Sequence, residues 1–380
     1  MKPICSTSYH TFYLLHLCGV LFQHPNIYSM KNLFLAIVAC GLFFTTSFAQ
    51  TTILPFGVSL CGAEFGTDNL PGLYNKNYIY PNKSEVEYFA DKGVSLMQLP
   101  FRWERVQHQL YAPLDVQEVA RIKKFLIDCA NTGVMVVLNM HNFARYKING
   151  QEYIIGSNEV PVKAFKDVWK KLAIELKGFS NIYGLDIMNE PHDMGNNSWF
   201  TTAQETINTI RQVNKNVIIM IEGESYSNAA TWNVHNDNLK NLVDPSDNLV
   251  YNAHCYFDND HSGRYLSSYD ESNINSQTGI QKVKPFINWL KANGKRGFVG
   301  EFGIPKTDTR WLPVLDNFLK YLTANNISGS YWAAGQWWKS YPLSLHPVAG
   351  NDQPQMMVYA KYLQNNTNSA SVTYKTVASR

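Results

Sequence analysis

The chain repeats one pattern eight times: a short run of apolar, often β-branched residues is followed by a segment with helical periodicity. Parallel strands need a crossover between them, and an α-helix is the usual one. The candidate strands are Phe56–Leu60, Val94–Leu99, Val134–Asn139, Ile182–Met188, Val217–Ile221, Leu249–His254, Arg296–Gly300 and Ser328–Trp332. The candidate helices lie near residues 84–92, 115–131, 161–178, 199–214, 228–240, 279–293, 311–325 and 353–364. Eight such units predict an α/β fold consisting of a single (β/α)8 TIM barrel.

Glycines mark several joints between these units. Gly93, Gly133, Gly178 and Gly294 each lie between a predicted helix and the next strand, where glycine commonly caps a helix in the left-handed conformation. No linker or low-complexity tract divides the chain. We therefore expect one domain over residues 50–365, followed by a polar tail over residues 366–380.

The composition restricts the possible partners. Hydrophobic residues make up 45% of the chain and charged residues 17%, and the formal net charge is only +3. This apolar content supports a large core, and no cluster of basic residues offers a surface for phosphates. We expect no nucleic-acid partner, and we expect a monomer.

The N-terminus has the pattern of an export signal. Residues 30–49 combine Lys31, an apolar run from Leu33 to Phe44 and a small-residue cleavage site at Ser47-Phe48-Ala49. They are predicted to be a signal peptide, which makes residues 1–29 a doubtful upstream extension. The apolar run is too short for stable membrane insertion, although a lipoprotein-type cleavage before Cys40 stays open. The protein is expected to be secreted, periplasmic or on the cell surface.

Three cysteines follow this leader, namely Cys61, Cys129 and Cys255. Their odd number and wide spacing argue against a disulfide framework and against a C-x-x-C metal site. One bridge between two of the three stays possible.

Polar and ionisable side chains follow the C-terminal ends of the predicted strands. In (β/α)8 barrels this end of the strands carries the active site. The residues are Glu64, Arg102, His141 with Asn142, Asn189 with Glu190, Glu222, His254 with Tyr256, Glu301, and Trp332. A single glutamate after a strand is usually a solvated loop residue. Such residues at every strand end indicate a functional site.

Glu190 and Glu301 are the candidate catalytic residues, because each directly follows an apolar strand. Cleavage of a glycosidic bond needs two carboxyl groups that face one cavity. The two carboxyl groups and the sugar ring suffice for that reaction, so we expect no cofactor. His141 and His254 stand on different strands without a third ligand, so we expect no metal site.

Six motifs carry a resemblance to a known family. In chain order they are Leu99-Pro100-Phe101-Arg102, Asn139-Met140-His141-Asn142, Asn189-Glu190-Pro191, Asn252-Ala253-His254-Cys255-Tyr256, Gly300-Glu301-Phe302-Gly303 and Tyr331-Trp332-Ala333-Ala334-Gly335. This ordered set resembles glycoside hydrolase family 5, the large cellulase family of (β/α)8 barrels. Finer strings, such as Gly62-Ala63-Glu64-Phe65-Gly66, resemble its endo-β-1,4-glucanase branch. The resemblance implies a retaining hydrolase of β-1,4-linked glucan that works by double displacement.

The resemblance also implies a role for each matching residue. Glu190 would be the general acid and base, kept protonated by desolvation and by the neighbouring negative charge. Glu301 would be the nucleophile, kept ionised by Arg102 and by a hydrogen bond from Tyr256. Asn189 would bind the sugar 2-OH. The remaining substrate-binding residues would be His141, Asn142, His254 and Trp332, the last as the floor of the central subsite. Trp337 and Trp338 are further candidates for sugar stacking, because they follow Trp332 closely in the chain.

Weaker candidates and other functions stay open. Further aromatic residues follow predicted strands and are as compatible with packing as with sugar stacking, namely Trp103, Tyr146, Tyr226 and Trp232. The substrate could instead be xylan, mannan, xyloglucan or mixed-linkage glucan, because loops set specificity on a barrel. An acceptor sugar could replace water on the intermediate, and a carbohydrate-binding barrel without activity is a further alternative.

Overall fold

Eight parallel strands close into a barrel in the computed structural model, which describes residues 56–363. The predicted leader over residues 1–49 and the predicted tail over residues 366–380 lie outside the described residues. In chain order the strands are β1 (Gly57–Leu60), β2 (Leu96–Phe101), β3 (Met135–Met140), β4 (Arg145–Ile148), β5 (Gln151–Ile154), β6 (Ile182–Asp186), β7 (Ile218–Glu222), β8 (Leu249–His254), β9 (Gly297–Phe302) and β10 (Ser328–Ala334). The barrel order is β1-β10-β9-β8-β7-β6-β3-β2, while β4 and β5 form a separate antiparallel hairpin. The predicted (β/α)8 barrel is confirmed.

Helices connect the barrel strands as predicted, except over residues 228–240 and for one unpredicted short helix that follows β2. They are α1 (Lys83–Asp91), α2 (Trp103–Val106), α3 (Val116–Asn131), α4 (Val162–Glu175), α5 (Trp199–Arg211), α6 (Trp232–His235), α7 (Thr278–Asn293), α8 (Trp311–Ala324) and α9 (Met356–Leu363). The single helix predicted over residues 228–240 is wrong, because α6 is one short turn between two 3₁₀ segments. Asn228 caps the first segment through the Ala230 N–H, and the Asn236 amide donates to the Glu224 carbonyl. Asparagine side chains that bond the local backbone compete with a continuous helix.

Three of the four predicted capping glycines adopt the expected conformation. Gly93, Gly133 and Gly294 have positive φ angles of 91°, 73° and 60°. The prediction for Gly178 is wrong, because α4 already ends at Glu175 with Leu176 as its C-cap. Gly178 lies beyond that cap, and its φ is not in the left-handed region.

The barrel interior changes from apolar to polar along its axis. One end is filled by a cluster of apolar side chains, Leu96, Val137, Met220, Val250 and Phe298. Strand side chains alternate with a period of two. The residues that follow on the same face are therefore Asn139 on β3 and then His141 directly after that strand, and Asn252 and then His254 on β8. This alternation stacks a polar layer directly below the mouth of the barrel.

A β-bulge interrupts the pairing of β8 with β9 next to the predicted site. Ala253 pairs with Val299, but His254 pairs with Glu301, so Gly300 is an extra residue on β9. A bulge bends its strand and re-aims the side chains around it. The bulge thus sets the direction of Glu301.

The cysteines and the helices answer two further questions raised by the sequence. Cys61, Cys129 and Cys255 are buried and free, so none of them forms the disulfide that the sequence left possible. Within residues 56–363, none of the helices has the length and apolar character that crossing a bilayer requires.

Gly300 has a packing requirement that gives a stability prediction. A Cβ at this position would lie 2.5 Å from both the Nδ2 and the Oδ1 of Asn252. We expect Gly300→Ala to lower the free energy of unfolding by about 1–3 kcal/mol, the usual range for overpacking. Urea denaturation measures this change.

Gly178→Ala is the matched control. No heavy atom lies within 4 Å of its added Cβ, and its backbone tolerates alanine. Such substitutions leave stability unchanged or raise it by about 0.4–1 kcal/mol. A Gly300→Ala variant as stable as Gly178→Ala would contradict the steric argument.

Candidate active site

The mouth of the barrel brings Glu190 and Glu301 together around His254. One ligating atom from each of these three side chains lies within 4.8 Å of the other two. His254 Nδ1 is 2.7 Å from Glu190 Oε1 and 3.5 Å from Glu301 Oε2. The two glutamates are more than a hundred positions apart in the sequence, and the barrel places them at one cleft.

Glu190 is held through its backbone as well as through its side chain. Its residue has a positive φ of 45°, which is uncommon for a side chain of this size. Its N–H donates to Glu222 Oε2 at 2.7 Å, and its carbonyl oxygen lies 2.9 Å from His192 Nδ1. The side chain stays 17% exposed. A fixed backbone and a partly open carboxyl suit a group that meets a ligand.

Glu301 is almost fully buried, with 4% of its surface exposed. The Tyr256 hydroxyl donates to Glu301 Oε2 at 2.6 Å, while Oε1 is buried without a partner in the described residues. Burial raises the pKa of Glu301 to about 8; a charge on Glu190 adds to this, and His254 and the Tyr256 hydrogen bond oppose it. The Tyr256 hydrogen bond therefore lowers the pKa of Glu301, as predicted, but the opposite effect of burial is larger.

Arg102 does not have the predicted contact with Glu301. Its guanidinium donates to the His141 carbonyl oxygen, and its Nε lies 3.6 Å from Glu104 Oε2. No hydrogen bond or ion pair joins Arg102 to Glu301 in the described part of the chain. The expectation that Arg102 keeps Glu301 ionised is not supported, because the Arg102 charge is directed to the His141 backbone and Glu104.

The two site histidines have opposite electrostatic surroundings. Burial lowers the pKa of His141 well below its usual value, and the positive charges of Arg102 and His254 lower it further. Burial also opposes charge on His254, but the carboxylates of Glu222 and Glu301 raise its pKa well above the usual value. These surroundings favour the neutral imidazole for His141 and the imidazolium for His254.

An aromatic wall flanks the Glu301 side of the cleft. Trp332 stacks on His141 with 5.3 Å between ring centroids and 9° between planes, and Trp338 lies edge-on to Trp332 at 6.1 Å. Tyr341 stacks on Trp338 at 4.1 Å. Trp337 is half-buried. Trp332 and Trp338 thus form one packed surface, and Tyr341 is a member that the sequence did not single out.

Asn189 and Asn142, both predicted to bind substrate, lie in different situations. Asn189 Nδ2 is buried and unpaired among the described residues, so it keeps a free donor. The Asn142 side chain accepts from the Trp103 N–H and donates to Glu104 Oε2, each at 2.8 Å. The substrate-binding role predicted for Asn142 is not supported, because its polar atoms are used inside the protein.

The weaker aromatic candidates separate by exposure. Trp103, Tyr146 and Trp232 are buried in the core, so stacking on a ligand is excluded for them. Tyr226 is 48% exposed and stacks on His192 at 4.0 Å. Its N–H donates to the carbonyl of Pro191, the residue after Glu190. The Tyr226–His192 stack therefore flanks the Glu190 side of the cleft.

A polar layer beneath the cleft contains groups that sequence reasoning missed or left without a role. Asp186 and Glu222 are fully buried there, and the amides of Asn139 and Asn252 donate to both carboxyls. The sequence places Glu222 at a strand end, but no motif assigns it a role. The sequence position of the two asparagines could have predicted this layer, because Asn139 and Asn252 stand two residues before His141 and His254 and so share their face of the strand.

Glu190, His254 and Glu301 are the one group in the described chain whose ligating atoms are spaced as around a metal ion. A metal would need a lone pair from His254. Instead, its Nδ1 lies 2.7 Å from Glu190 Oε1, and its Nε2 lies 3.3 Å from Glu222 Oε2. Because the carboxylates favour protonation of both nitrogens, the donor set fits proton transfer better than metal binding.

Comparison with known proteins gives consistent matches. The family model described as Cellulase (glycosyl hydrolase family 5) matches residues 56–337. The probable endo-beta-1,4-glucanase B of Neosartorya fischeri is 35% identical over 300 residues, which cover 78% of this chain and 87% of the relative. The endo-beta-1,4-glucanase B of Emericella nidulans is 32% identical, with the same coverage. The structure of Pseudomonas stutzeri endoglucanase Cel5A in complex with cellobiose has a TM-score of 0.78 and 40% identity, and covers 86% of this chain and 97% of that one.

The hydrogen bond from Tyr256 gives a prediction about Glu301. We expect Tyr256→Phe to raise the pKa of Glu301 by about one unit or more, because a hydrogen bond to a charged group contributes about 1.5–3 kcal/mol. The carboxyl ¹³C resonance of labelled glutamate, assigned by its loss in Glu301→Gln, measures the shift.

Tyr251→Phe is the control for removal of a buried hydroxyl. Tyr251 lies on β8, the strand that Tyr256 follows, and its hydroxyl donates to the Leu239 carbonyl oxygen at 2.8 Å. Its loss should leave the Glu301 titration in place. An unchanged Glu301 pKa in Tyr256→Phe would show that this hydrogen bond does not stabilise the anion.

Proposed function

Because the chain belongs to glycosyl hydrolase family 5, as its motifs predicted, we propose that it is a retaining endo-β-1,4-glucanase acting on cellulose or a related glucan. The observation that carries the mechanism is that one carboxyl oxygen of Glu190 and one of Glu301 lie within 4.8 Å of each other. Retaining glycosidases hold their carboxyl groups about 5–5.5 Å apart, whereas inverting ones need about 6.5–9.5 Å to admit a water. The separation in this protein is close to the retaining range and well below the inverting one, which supports double displacement.

The reaction has two displacements at one carbon. A Glu301 oxygen attacks the anomeric carbon while Glu190 gives its proton to the departing glycosidic oxygen, and a glycosyl–enzyme ester forms. Glu190 then takes a proton from water, which attacks the same carbon and releases Glu301. Two inversions retain the configuration, and the proton returns to Glu190.

The reactive state places one proton on the Glu190–Glu301 pair. Because burial raises the pKa of Glu301 to about 8, the resting enzyme readily holds a proton there. Moving that proton to Glu190 leaves the charge of the pair unchanged and ionises Glu301 for its attack. The Tyr256 hydroxyl and the His254 cation stabilise the Glu301 anion once it forms.

Groups around the two glutamates can bind the sugar. The unpaired Asn189 Nδ2 is a donor for the 2-OH, a contact that strengthens as positive charge develops on the sugar. Trp332 is 8% exposed, and the part of its ring that His141 and Trp338 leave open offers a surface for the apolar face of the sugar. Aromatic groups on both sides of the cleft, Trp332 with Trp338 and Tyr226 with His192, suit cleavage within a chain.

The glucan preference rests on the relatives. The similar curated proteins are named endo-beta-1,4-glucanases, and the similar structure was determined with cellobiose. Xylan, mannan, xyloglucan and mixed-linkage glucan are the alternatives, because loops above the same catalytic groups select the sugar.

Side-by-side assays test the substrate and the mechanism. We expect reducing ends to be released from carboxymethyl-cellulose faster than from xylan or mannan, and ¹H NMR to show a β-anomer as the first product. Xylan or mannan as the sole substrate would overturn the glucan assignment. A first product in the α configuration would overturn double displacement.

Glu301→Gln separates an enzyme from a carbohydrate-binding barrel. We expect hydrolysis to fall by roughly 10³-fold or more, as loss of a nucleophile does elsewhere, while cellotetraose binding stays measurable by calorimetry. If the parent protein also binds cellotetraose without hydrolysing it, the chain is a carbohydrate-binding barrel without activity.

We also propose that the protein is exported and acts as a monomer. Export is supported by the signal pattern over residues 30–49 and by the substrate, a polymer that cannot cross a membrane. One chain supplies all the groups used above, so a second copy is not required. Mass spectrometry of the secreted protein should give a chain that begins at Gln50, and a chain that begins at Met30 would contradict cleavage.

A further inference from the structure

We propose that Asp186 and Glu222 form a buried pair that holds a single proton on Asp186, and that the resulting Glu222 anion positions Glu190 and keeps His254 charged. This inference rests on the proposed function only for its effect on the reaction rate. The pair belongs to the barrel interior and has no access to substrate, because both side chains are fully buried. Asp186 and Glu222 would therefore be positioning residues.

The two carboxyl groups share the same donors. Asn139 Nδ2 lies 2.9 Å from Asp186 Oδ2 and 3.2 Å from Glu222 Oε1. Asn252 Nδ2 lies 2.8 Å and 3.3 Å from the same two oxygens. Amide groups supply no positive charge, so two anions at this spacing in a buried site would repel strongly.

A single proton on the pair removes this repulsion. Two ionised groups could not bond to each other, because a carboxylate has no hydrogen to donate. Asp186 Oδ1 is buried and has no hydrogen-bond partner in the described chain. The geometry therefore favours one neutral carboxylic acid in the pair.

The surroundings decide which group carries the proton. Glu222 faces the His254 cation at 3.3 Å and accepts the Glu190 N–H at 2.7 Å, and both favour its charged form. Among the described residues, Asp186 accepts hydrogen bonds from the two shared amides alone. A negative charge on Glu301 lies close enough to disfavour the ionised form of both Asp186 and Glu222. Burial raises the pKa of both carboxyls, but His254 opposes this rise for Glu222, whereas the Glu222 charge adds to it for Asp186.

The Glu222 anion then acts on both ends of the catalytic cleft. Through the Glu190 N–H it fixes the backbone of the proposed acid. Through His254 Nε2 it favours an imidazolium, whose Nδ1–H donates to Glu190 Oε1. The groups around His254 are Glu190, Glu222, Glu301 and the neutral His141. Loss of the Glu222 charge would remove one of the carboxylates that hold the proton on His254.

Two isosteric variants test the location of the proton. In Asp186→Asn the amide reproduces a protonated acid, since Nδ2 donates to Glu222 and Oδ1 accepts from the two asparagines. We expect a fall in kcat of about threefold at most. In Glu222→Gln the anion is lost, and we expect kcat to fall by about 10- to 100-fold, the cost of a hydrogen bond to a charged group. KM should change little, because neither side chain meets substrate.

The pH profile separates positioning from a general structural effect. Because the Glu222 anion raises the pKa of His254, its loss lowers that pKa, and the alkaline limb of kcat/KM should move to lower pH in Glu222→Gln. Asp186→Asn should keep the parent limb. Glu118→Gln is the control, because Glu118 is a buried carboxylate that accepts from Tyr78 and Tyr80 away from the cleft. The Glu118→Gln variant should be less stable than the parent, but its pH profile of kcat/KM should not shift.

The ¹⁵N spectrum of labelled histidine reads the His254 state without any activity. We expect His254 to keep both ring protons to higher pH in the parent and in Asp186→Asn than in Glu222→Gln. If His254 loses its second ring proton at the same lowered pH in both variants, the assignment of the proton to Asp186 is wrong. It is also wrong if Glu222→Gln keeps its activity while Asp186→Asn is inactive. If Glu222→Gln does not fold, a folded Asp186→Asn that has lost the His254 imidazolium would still overturn it. A parent without glucanase activity would overturn the proposed function and leave the ¹⁵N result to decide this inference.

Discussion

The His254 imidazolium lies between three carboxyl groups, and this contact is the constraint on which the site depends. Its ring nitrogens approach Glu190 at 2.7 Å, Glu222 at 3.3 Å and Glu301 at 3.5 Å. Glu222 and Glu301 are buried and Glu190 is only partly exposed, so negative charge on these groups would be costly without a cation, because a desolvated charge needs a partner. A single cation makes it possible to hold the two proposed catalytic carboxyls close together in the cleft.

The barrel supplies this arrangement through two properties of its strands. The period of two places Asn139 below His141 and Asn252 below His254, so each strand provides one group to the cleft and one to the layer beneath. The bulge at Gly300 then redirects Glu301, and the missing Cβ leaves room for the Asn252 amide that supports the buried carboxyls. The active groups and their support are thus built from the same strands.

Much of the fold and the core of the site could be predicted from local patterns. Each predicted barrel strand overlaps an observed one, because the alternation of apolar strands and helical segments is a local property of the chain. The errors share a cause. Arg102 and Asn142 stand at the right strand ends, but their partners, the His141 carbonyl and Glu104, are selected by contacts between distant segments. Trp103 and Trp232 follow strands yet pack inwards, which no local pattern distinguishes from exposure.

The sequence by itself determined the barrel, the family and the two glutamates, because these follow from periodicity and from motifs that are contiguous in the chain. Only the tertiary structure decided the electrostatics of the site. Burial and neighbouring charges favour a neutral His141 and a charged His254, and burial raises the pKa of Glu301. Asp186 and Glu222 share the Asn139 amide beneath these groups. Protonation depends on desolvation and on the distances between charges. Those distances join residues from different strands, so they exist only once the barrel has closed.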